Sequence, residues 1–142
     1  MKLLGVNKSY YFDSRTNGAN SIKYVLPAIL SRSSFLQKKY SSPIYGVWGG
    51  IPSKNFSNWQ WITFDDNNQV VDPYLLLPKL FEENEEEQVI LLTQDNELKN
   101  GGAALMAYAR MQFEAMSDYE REELRSALLE YCELDTLAMV VI

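Results

Sequence analysis

The chain has 142 residues, of which 46% are hydrophobic and 13% aromatic, a composition typical of one globular domain with a buried core. It contains no histidine and one cysteine, Cys132, which excludes histidine catalysis, cysteine–histidine zinc sites and internal disulfides within this chain. No apolar run reaches the roughly 18 residues of a membrane span, and Met1–Val6 does not open a secretory signal. We therefore predict a cytoplasmic protein without a membrane partner.

Charge is distributed unevenly along the chain. Residues 1–61 carry eight bases and one acid, a net charge of +7, whereas residues 62–142 carry five bases and eighteen acids, a net charge of −13. The basic half suits a surface that faces phosphates. Alternatively, the two halves attract each other within one fold and the acidic run is a solvated loop.

The first third of the chain predicts one strand and two helices. Tyr10-Tyr11-Phe12 favours a strand, and Asn17-Gly18 marks the turn that follows it. Apolar residues then recur at helical spacing from residue 22 to residue 30, where Pro27 should kink the helix or split it. A second short helix is expected over Ser34–Tyr40.

The middle of the chain predicts a loop and a β-hairpin. Residues 41–58 are rich in Pro, Gly and Ser and favour an irregular loop. Trp59 and Trp61 begin a period-two pattern, residues 65–68 form a turn signal and residues 69–71 suit the returning strand. We expect Trp59 or Trp61 to lie in the core.

A helix start signal follows at Asp72-Pro73. Asp72-Pro73 combines an N-cap acceptor with a first-turn proline and predicts a short helix over Tyr74–Phe81. An acidic loop is expected at 82–88, and residues 89–92 are a possible buried strand or an apolar turn.

The C-terminal part predicts two helices. Gly101-Gly102 should break the chain before a helix from Ala103 to about Met116. Ser117 and Glu120 form a capping box that starts the last helix, which we expect to run to the final residue.

The last helix carries the best candidate for chemistry. Tyr131 and Asp135 are four residues apart, so they share a helical face about one turn apart. There, a phenol could orient a water molecule and a carboxylate could bind a metal ion. The alternative is that Asp135 lies on the helix flank and accepts a hydrogen bond from Thr136 or from a basic residue.

Three further residues could contact nucleic acid. Lys23 follows a helix start, where backbone N–H groups favour a phosphate; otherwise it is an exposed lysine on the polar helix face. Trp48 could stack on a base beside the positive charge of Lys54, although tryptophans more often anchor a core or an interface.

Several stretches together resemble an uncharacterised bacterial family. Its members are similar to the DEDDy 3′–5′ exonucleases of the ribonuclease H-like superfamily and are often fused behind a RecB-type nuclease domain. The matching stretches run from Asn17 to Ala28, from Val71 to Pro78, from Gly101 to Ala104 and from Leu128 to Val140.

The resemblance implies roles for two residues. Tyr131 and Asp135 would form the third exonuclease motif, in which Tyr131 orients the attacking water and Asp135 binds Mg²⁺ or Mn²⁺. The family's first motif, an Asp-x-Glu on the opening strand, is absent, and no residue before position 20 supplies the second-motif aspartate. Asp13 lies in a turn signal and is not assigned to either motif.

The predicted fold is therefore α+β and mainly helical: a single domain over residues 1–142 that corresponds to the C-terminal part of a ribonuclease H-like domain. We expect a metal-dependent exonuclease-like portion that acts on nucleic acid and is inactive alone. It would pair with an upstream nuclease segment or with a second copy. The alternative is a non-catalytic module that binds nucleic acid or another protein.

Overall fold

The computed structural model describes residues 13–16, 18–19, 21–77 and 96–142. The strand predicted at residues 10–12, the acidic loop at 82–88 and the possible strand at 89–92 lie outside these residues. Within them the protein is mainly helical, as the sequence predicts. The α-helices are α1 (Ile22–Arg32), α2 (Ser34–Tyr40), α3 (Asn96–Phe113) and α4 (Asp118–Val141), and short 3₁₀ turns span Ser14–Thr16 and Pro73–Leu76.

Helix α1 is continuous through Pro27, so of the two predicted effects of this proline, a kink or a split, the split does not occur. A proline inside a helix costs about 3 kcal/mol or more. The apolar face of α1 offsets this cost, since burying each large aliphatic side chain contributes about 1.5–3 kcal/mol. Its four buried residues are each at most 3% exposed: Val25, Leu26, Ala28 and Leu30.

Helix α2 has the predicted bounds, and its start is joined to the end of α1. The hydroxyl of Ser33 accepts a hydrogen bond from Leu36 N at 3.3 Å and caps α2. From within α2, Gln37 Nε2 donates to the carbonyls of Leu30 and Ser31, each at 3.0 Å. These bonds satisfy carbonyls that the end of α1 leaves free.

Residues 41–58 form the predicted irregular loop, which is organised around aromatic side chains. Tyr45 forms β-bridges with Ile51 and Trp59, and its ring meets that of Trp61 edge to face at 5.6 Å. Trp61 is 1% exposed, which confirms that one of the two neighbouring tryptophans lies in the core.

The predicted hairpin is reduced to a turn with a single bridge. Phe64 pairs with Val70 in antiparallel orientation, and Val71 N donates to Thr63 O at 2.9 Å. The carboxylate of Asp65 organises the intervening turn by accepting bonds from two backbone N–H groups. In the described part of the chain, β-structure consists of isolated bridges.

The prediction that Gly101-Gly102 breaks the chain before a helix is wrong. Helix α3 begins at Asn96 and continues through both glycines. Each glycine inside a helix costs roughly 0.5–1 kcal/mol relative to alanine, which lowers helix stability without blocking the helix. Neighbouring alanine, leucine and methionine residues favour the helical state and outweigh that cost.

Helix α4 begins as predicted. Glu120 N donates to Ser117 Oγ at 3.2 Å, and Ser117 N donates back to Glu120 Oε2 at 2.8 Å. This is the reciprocal geometry of a capping box. The helix ends at Val141, one residue before the end of the chain.

The chain divides into two compact units. The first comprises Met1–Leu76 together with Glu133–Ile142, and the second comprises Leu77–Cys132. The first unit contains α1, α2, the 41–58 loop and the last residues of α4. The second contains α3 and the larger part of α4. No helix in the described ranges is long and apolar enough to cross a membrane.

Candidate functional site

The end of α4 brings Asp135 into the first unit between two buried positions. Leu134 and Ala138 are 1% and 0% exposed and anchor this part of the helix by apolar burial. Asp135 lies beside that buried edge and is half-buried. Its carboxylate therefore stands at the border between the packed interior and solvent.

A phenol from a distant part of the chain holds this carboxylate. Tyr74 Oη donates a hydrogen bond to Asp135 Oδ1 at 2.6 Å. Such a short distance is typical of a hydroxyl that donates to an ionised acceptor. One oxygen of Asp135 thus has a fixed partner, and the side chain is restrained in one orientation.

The backbone around Tyr74 is fixed by Asp72. Asp72 Oδ1 accepts a bond from Tyr74 N at 3.0 Å, and Leu75 N donates to Asp72 O at 3.0 Å. Pro73 is buried at the start of the 3₁₀ turn, a position where the backbone needs no N–H donor, so proline is tolerated. The sequence predicts a short helix over Tyr74–Phe81; the structure has a 3₁₀ turn over Pro73–Leu76 instead, and residues 78–81 lie outside the described residues. This 3₁₀ turn positions the phenol.

Lys23 of α1 completes the group. Its Nζ is buried and lies 5.5 Å from the centroid of the Tyr74 ring, close enough for a cation–π interaction. Burial lowers the pKa of Lys23, while the charges of Asp135 and Asp72 act in the opposite direction. Because the amine is buried, Lys23 is not the exposed lysine of the alternative interpretation. We refer to Lys23, Asp72, Tyr74 and Asp135 as the Asp135 cluster.

In the cluster, burial disfavours the charged forms of Lys23 and Asp72, and neighbouring opposite charges partly offset that effect. Burial raises the pKa of Asp72, whereas the Tyr74 N–H and the charge of Lys23 oppose that rise. Two carboxylates thus share one ammonium group at a partly buried position. The arrangement can hold Asp135 rigidly and keep its negative charge partly compensated.

The cluster does not fit a pair of divalent metal ions by itself. Two-metal phosphodiester chemistry requires several carboxylates around the ions. Among the residues that the structure describes, no group of three or more Cys, Asp or Glu side chains could hold a metal ion. The positive charge beside Asp135 and Asp72 comes instead from Lys23.

A second carboxylate of α4 is also held by a phenol. Asn55 Nδ2 donates to Glu133 Oε2 at 2.5 Å, and the hydroxyl of Tyr45 also bonds to Glu133. Burial, followed by the charge of Glu133 and this hydrogen bond, raises the pKa of Tyr45 to about 12. The last turns of α4 are therefore joined to the 41–58 loop as well as to the 3₁₀ turn.

Asp13 has its own partner in the first unit. Its fully buried carboxylate meets Arg32 Nε at 2.6 Å and accepts a bond from Arg15 N at 2.9 Å. The residue directly precedes the Ser14–Thr16 turn, as the turn signal predicts. Its carboxylate pairs with the guanidinium group of Arg32 at the end of α1 and is not part of the Asp135 cluster.

The other predicted site residues occupy different surroundings. Tyr131 lies four residues before Asp135 in the continuous helix α4, is half-buried and belongs to the second unit. Trp48 and Lys54 are exposed in the 41–58 loop. Of the residues predicted to bind nucleic acid, Lys23 belongs to the Asp135 cluster, whereas Trp48 and Lys54 are exposed residues of the 41–58 loop.

Sequence reasoning missed Tyr74 as a site residue. Tyr74 and Asp135 are 61 positions apart, so no local spacing links them. The available signal was the Asp72-Pro73 start, which places a tyrosine at a fixed position in a tight turn. That signal predicts a helix start, but it carries no information about what the phenol contacts.

Comparison with known proteins provides no relative for this chain. No family model, curated protein or solved structure matches it. The interpretation of the Asp135 cluster therefore depends on its own geometry and chemistry.

Proposed function

We propose that this chain is part of a metal-dependent 3′–5′ exonuclease-like domain with a ribonuclease H-like fold. The chain supplies the third carboxylate motif of that domain and does not turn over substrate by itself. What supports the proposal is the convergence on Asp135. Lys23, the Asp72–Tyr74 turn and Asp135 come from three of the stretches that carry the family resemblance. They are widely separated in sequence, yet they meet in one cluster.

In this proposal Asp135 is one metal ligand, and further carboxylates must complete the metal site around it. Tyr74 fixes one of its oxygens, and Tyr131, one helical turn earlier, is the proposed water-orienting phenol. Because the described residues do not fit a metal pair, the remaining carboxylates would come from an upstream nuclease segment or from a second copy. Mg²⁺ or Mn²⁺ would then bind only in that larger assembly.

The test compares two preparations on single-stranded DNA and RNA labelled at the 5′ end. One is the 142-residue chain, and the other is the same chain joined to an upstream nuclease segment that supplies the missing carboxylate motifs. We expect shortening from the 3′ end only in the longer protein, only with Mg²⁺ or Mn²⁺, and not in its Asp135→Asn variant. Asp66→Asn, a change at an exposed turn position, is the matched control. Absence of shortening by the longer protein, or shortening that survives Asp135→Asn, would refute the proposal.

A second candidate function is a non-catalytic module that binds nucleic acid or a protein. The observation that favours it is the buried ammonium of Lys23, which already compensates the carboxylates of the cluster. In this second candidate function the cluster has a structural role and holds the end of α4 against the 3₁₀ turn. Salt-sensitive binding of nucleic acid without turnover in either preparation would support this module.

A further inference from the structure

Helix α3 is amphipathic in the reverse of the usual sense. Among the residues of this helix whose burial the structure describes, Ala107 is the buried one, at 0% exposure. The large apolar side chains face solvent instead, at 69% exposure for Leu105, 44% for Met106, 56% for Tyr108 and 88% for Phe113. A helix on the surface of a globular protein normally turns its large apolar residues towards the core. We refer to these four exposed residues as the α3 stripe.

The α3 stripe occupies one side of the helix. Each helical residue is rotated by about 100° from the one before it, which places the four residues within an arc of about 160°. Ala107 lies on the opposite side. Leu105, the half-buried Ala109 and Phe113 follow one another at four-residue spacing, so they form a ridge of the kind that packs into the grooves of a second helix.

The stripe is large for an exposed apolar surface. Large side chains offer roughly 150–250 Å² each, so the exposed fractions correspond to about 500 Å² in total. Contiguous patches of this size are near the upper limit for monomeric proteins and mark interaction sites. Two such stripes facing each other would bury about 1,000 Å², which reaches the lower limit of a specific protein–protein interface.

The charge of α3 favours an apolar partner. Beside the stripe, Arg110 forms a salt bridge with Glu114 at 2.9 Å, so this pair carries no net charge. Nucleic acid requires a basic surface, and helices that lie on membranes carry several lysines or arginines on their polar face. Helix α3 has two bases in 18 residues, Lys99 and Arg110. Its stripe therefore fits the apolar face of another protein helix.

A second copy of the chain offers such a face with matching shape. If the two α3 helices run antiparallel with a twofold axis at Ala109, Leu105 of one copy faces Phe113 of the other. Both large side chains are four residues, or about 6 Å, from Ala109, so the ridge is complementary to itself. The two small alanine side chains allow the helices to approach closely at the axis.

We propose that the chain forms a twofold dimer through the α3 stripe, with Leu105 and Phe113 as its apolar anchors. Because the buried area is near the lower limit for a specific interface, the dimer dissociates in the micromolar range. The stripe belongs to the second unit, whereas Asp135 belongs to the first. The dimer therefore does not depend on turnover at Asp135.

The test is sedimentation equilibrium of the 142-residue chain from about 1 to about 200 µM, a range that spans micromolar dissociation constants. We expect the mass to rise with concentration from 16.4 kDa towards twice that value. Phe113→Glu should weaken the dimer at least about 30-fold, the usual effect of losing an anchor residue. The matched control is Phe35→Glu, at a 70% exposed position of α2 in the first unit, which should leave the dimer unchanged.

Gln112 provides a variant that acts in the opposite direction. It is exposed and lies within the arc of the α3 stripe, so Gln112→Leu extends the apolar surface. This substitution should tighten the dimer about 10-fold. The mass should still stop at that of a dimer, which distinguishes a tighter interface from aggregation.

The outcomes separate the second copy from other occupants of the stripe. A chain that stays monomeric over the whole range, or a dimer that Phe113→Glu does not weaken, would overturn the proposal. So would a monomer that binds phosphatidylcholine vesicles and loses this binding in Phe113→Glu, because the stripe would then be a lipid-binding face. A dimer weakened by Phe113→Glu, with no shortening of nucleic acid in any preparation, would support this inference and refute the proposed exonuclease function.

Discussion

Replacing Tyr74 by phenylalanine tests whether the phenol–carboxylate bond stabilises the end of α4. The change removes the hydroxyl that donates to Asp135 at 2.6 Å and keeps the ring on which Lys23 lies. A hydrogen bond to a charged group contributes about 1.5–3 kcal/mol. Asp135 is only half-buried and can regain a water molecule, so we expect a loss near the lower end, about 1.5 kcal/mol.

The assay is urea unfolding followed by tryptophan fluorescence, since Trp59 and Trp61 belong to the same unit as Tyr74. A double-mutant cycle with Asp135→Asn should give a coupling energy of about 1 kcal/mol or more. The control is Tyr119→Phe, at an exposed position of α4, which should change the free energy of unfolding by less than about 0.5 kcal/mol. Additive effects of the Tyr74 and Asp135 substitutions would refute the reasoning, because they would show that the two groups do not interact.

Three further perturbations test other parts of the structure. The pKa of Tyr45 is about 12 in the folded protein and about 10 when unfolded, so its contribution to stability is complete below pH 10 and is lost as the pH rises towards 12. The stability advantage of wild type over Tyr45→Phe, measured by urea unfolding, should therefore shrink over that range by about 1–2 kcal/mol, and a constant difference would contradict the burial of the Tyr45 hydroxyl and its contact with Glu133. Gly46→Ala should destabilise the protein by at least about 2 kcal/mol more than Gly49→Ala in thermal unfolding. Both glycines have a positive φ, but of the two only Gly46 faces a backbone carbonyl. Ser117→Ala should reduce helix content by circular dichroism and cost about 1 kcal/mol by removing the capping box, whereas unchanged stability would show that α4 starts without it.

The start of α4 shows what local sequence can determine. Ser117 and Glu120 interact across three residues, so their geometry follows from the helix start itself. The same applies to α2, whose bounds match the spacing of its apolar residues and its Ser33 cap. Local signals failed at Gly101-Gly102, because the helix-breaking tendency of glycine is small compared with the preference of its neighbours for a continuous helix.

The three tryptophans show where local sequence carries too little information. Trp48, Trp59 and Trp61 have the same side chain in one aromatic stretch, and the sequence places at least one of the last two in the core. The fully exposed position of Trp48 follows from a turn in which Gly46 packs on a backbone carbonyl ten residues later. Such a contact depends on the folded path of the loop.

Sequence alone determined the helical class, the start of α4, a helix start signal at Asp72-Pro73 and the position of Asp135 one turn after Tyr131 on the last helix. These features follow from interactions within a few residues, whose geometry the backbone fixes locally. Tertiary structure decided which groups meet Asp135. Lys23 and Tyr74 are brought to it by burial of the apolar faces of α1 and α4, an interaction without direction that no residue spacing encodes.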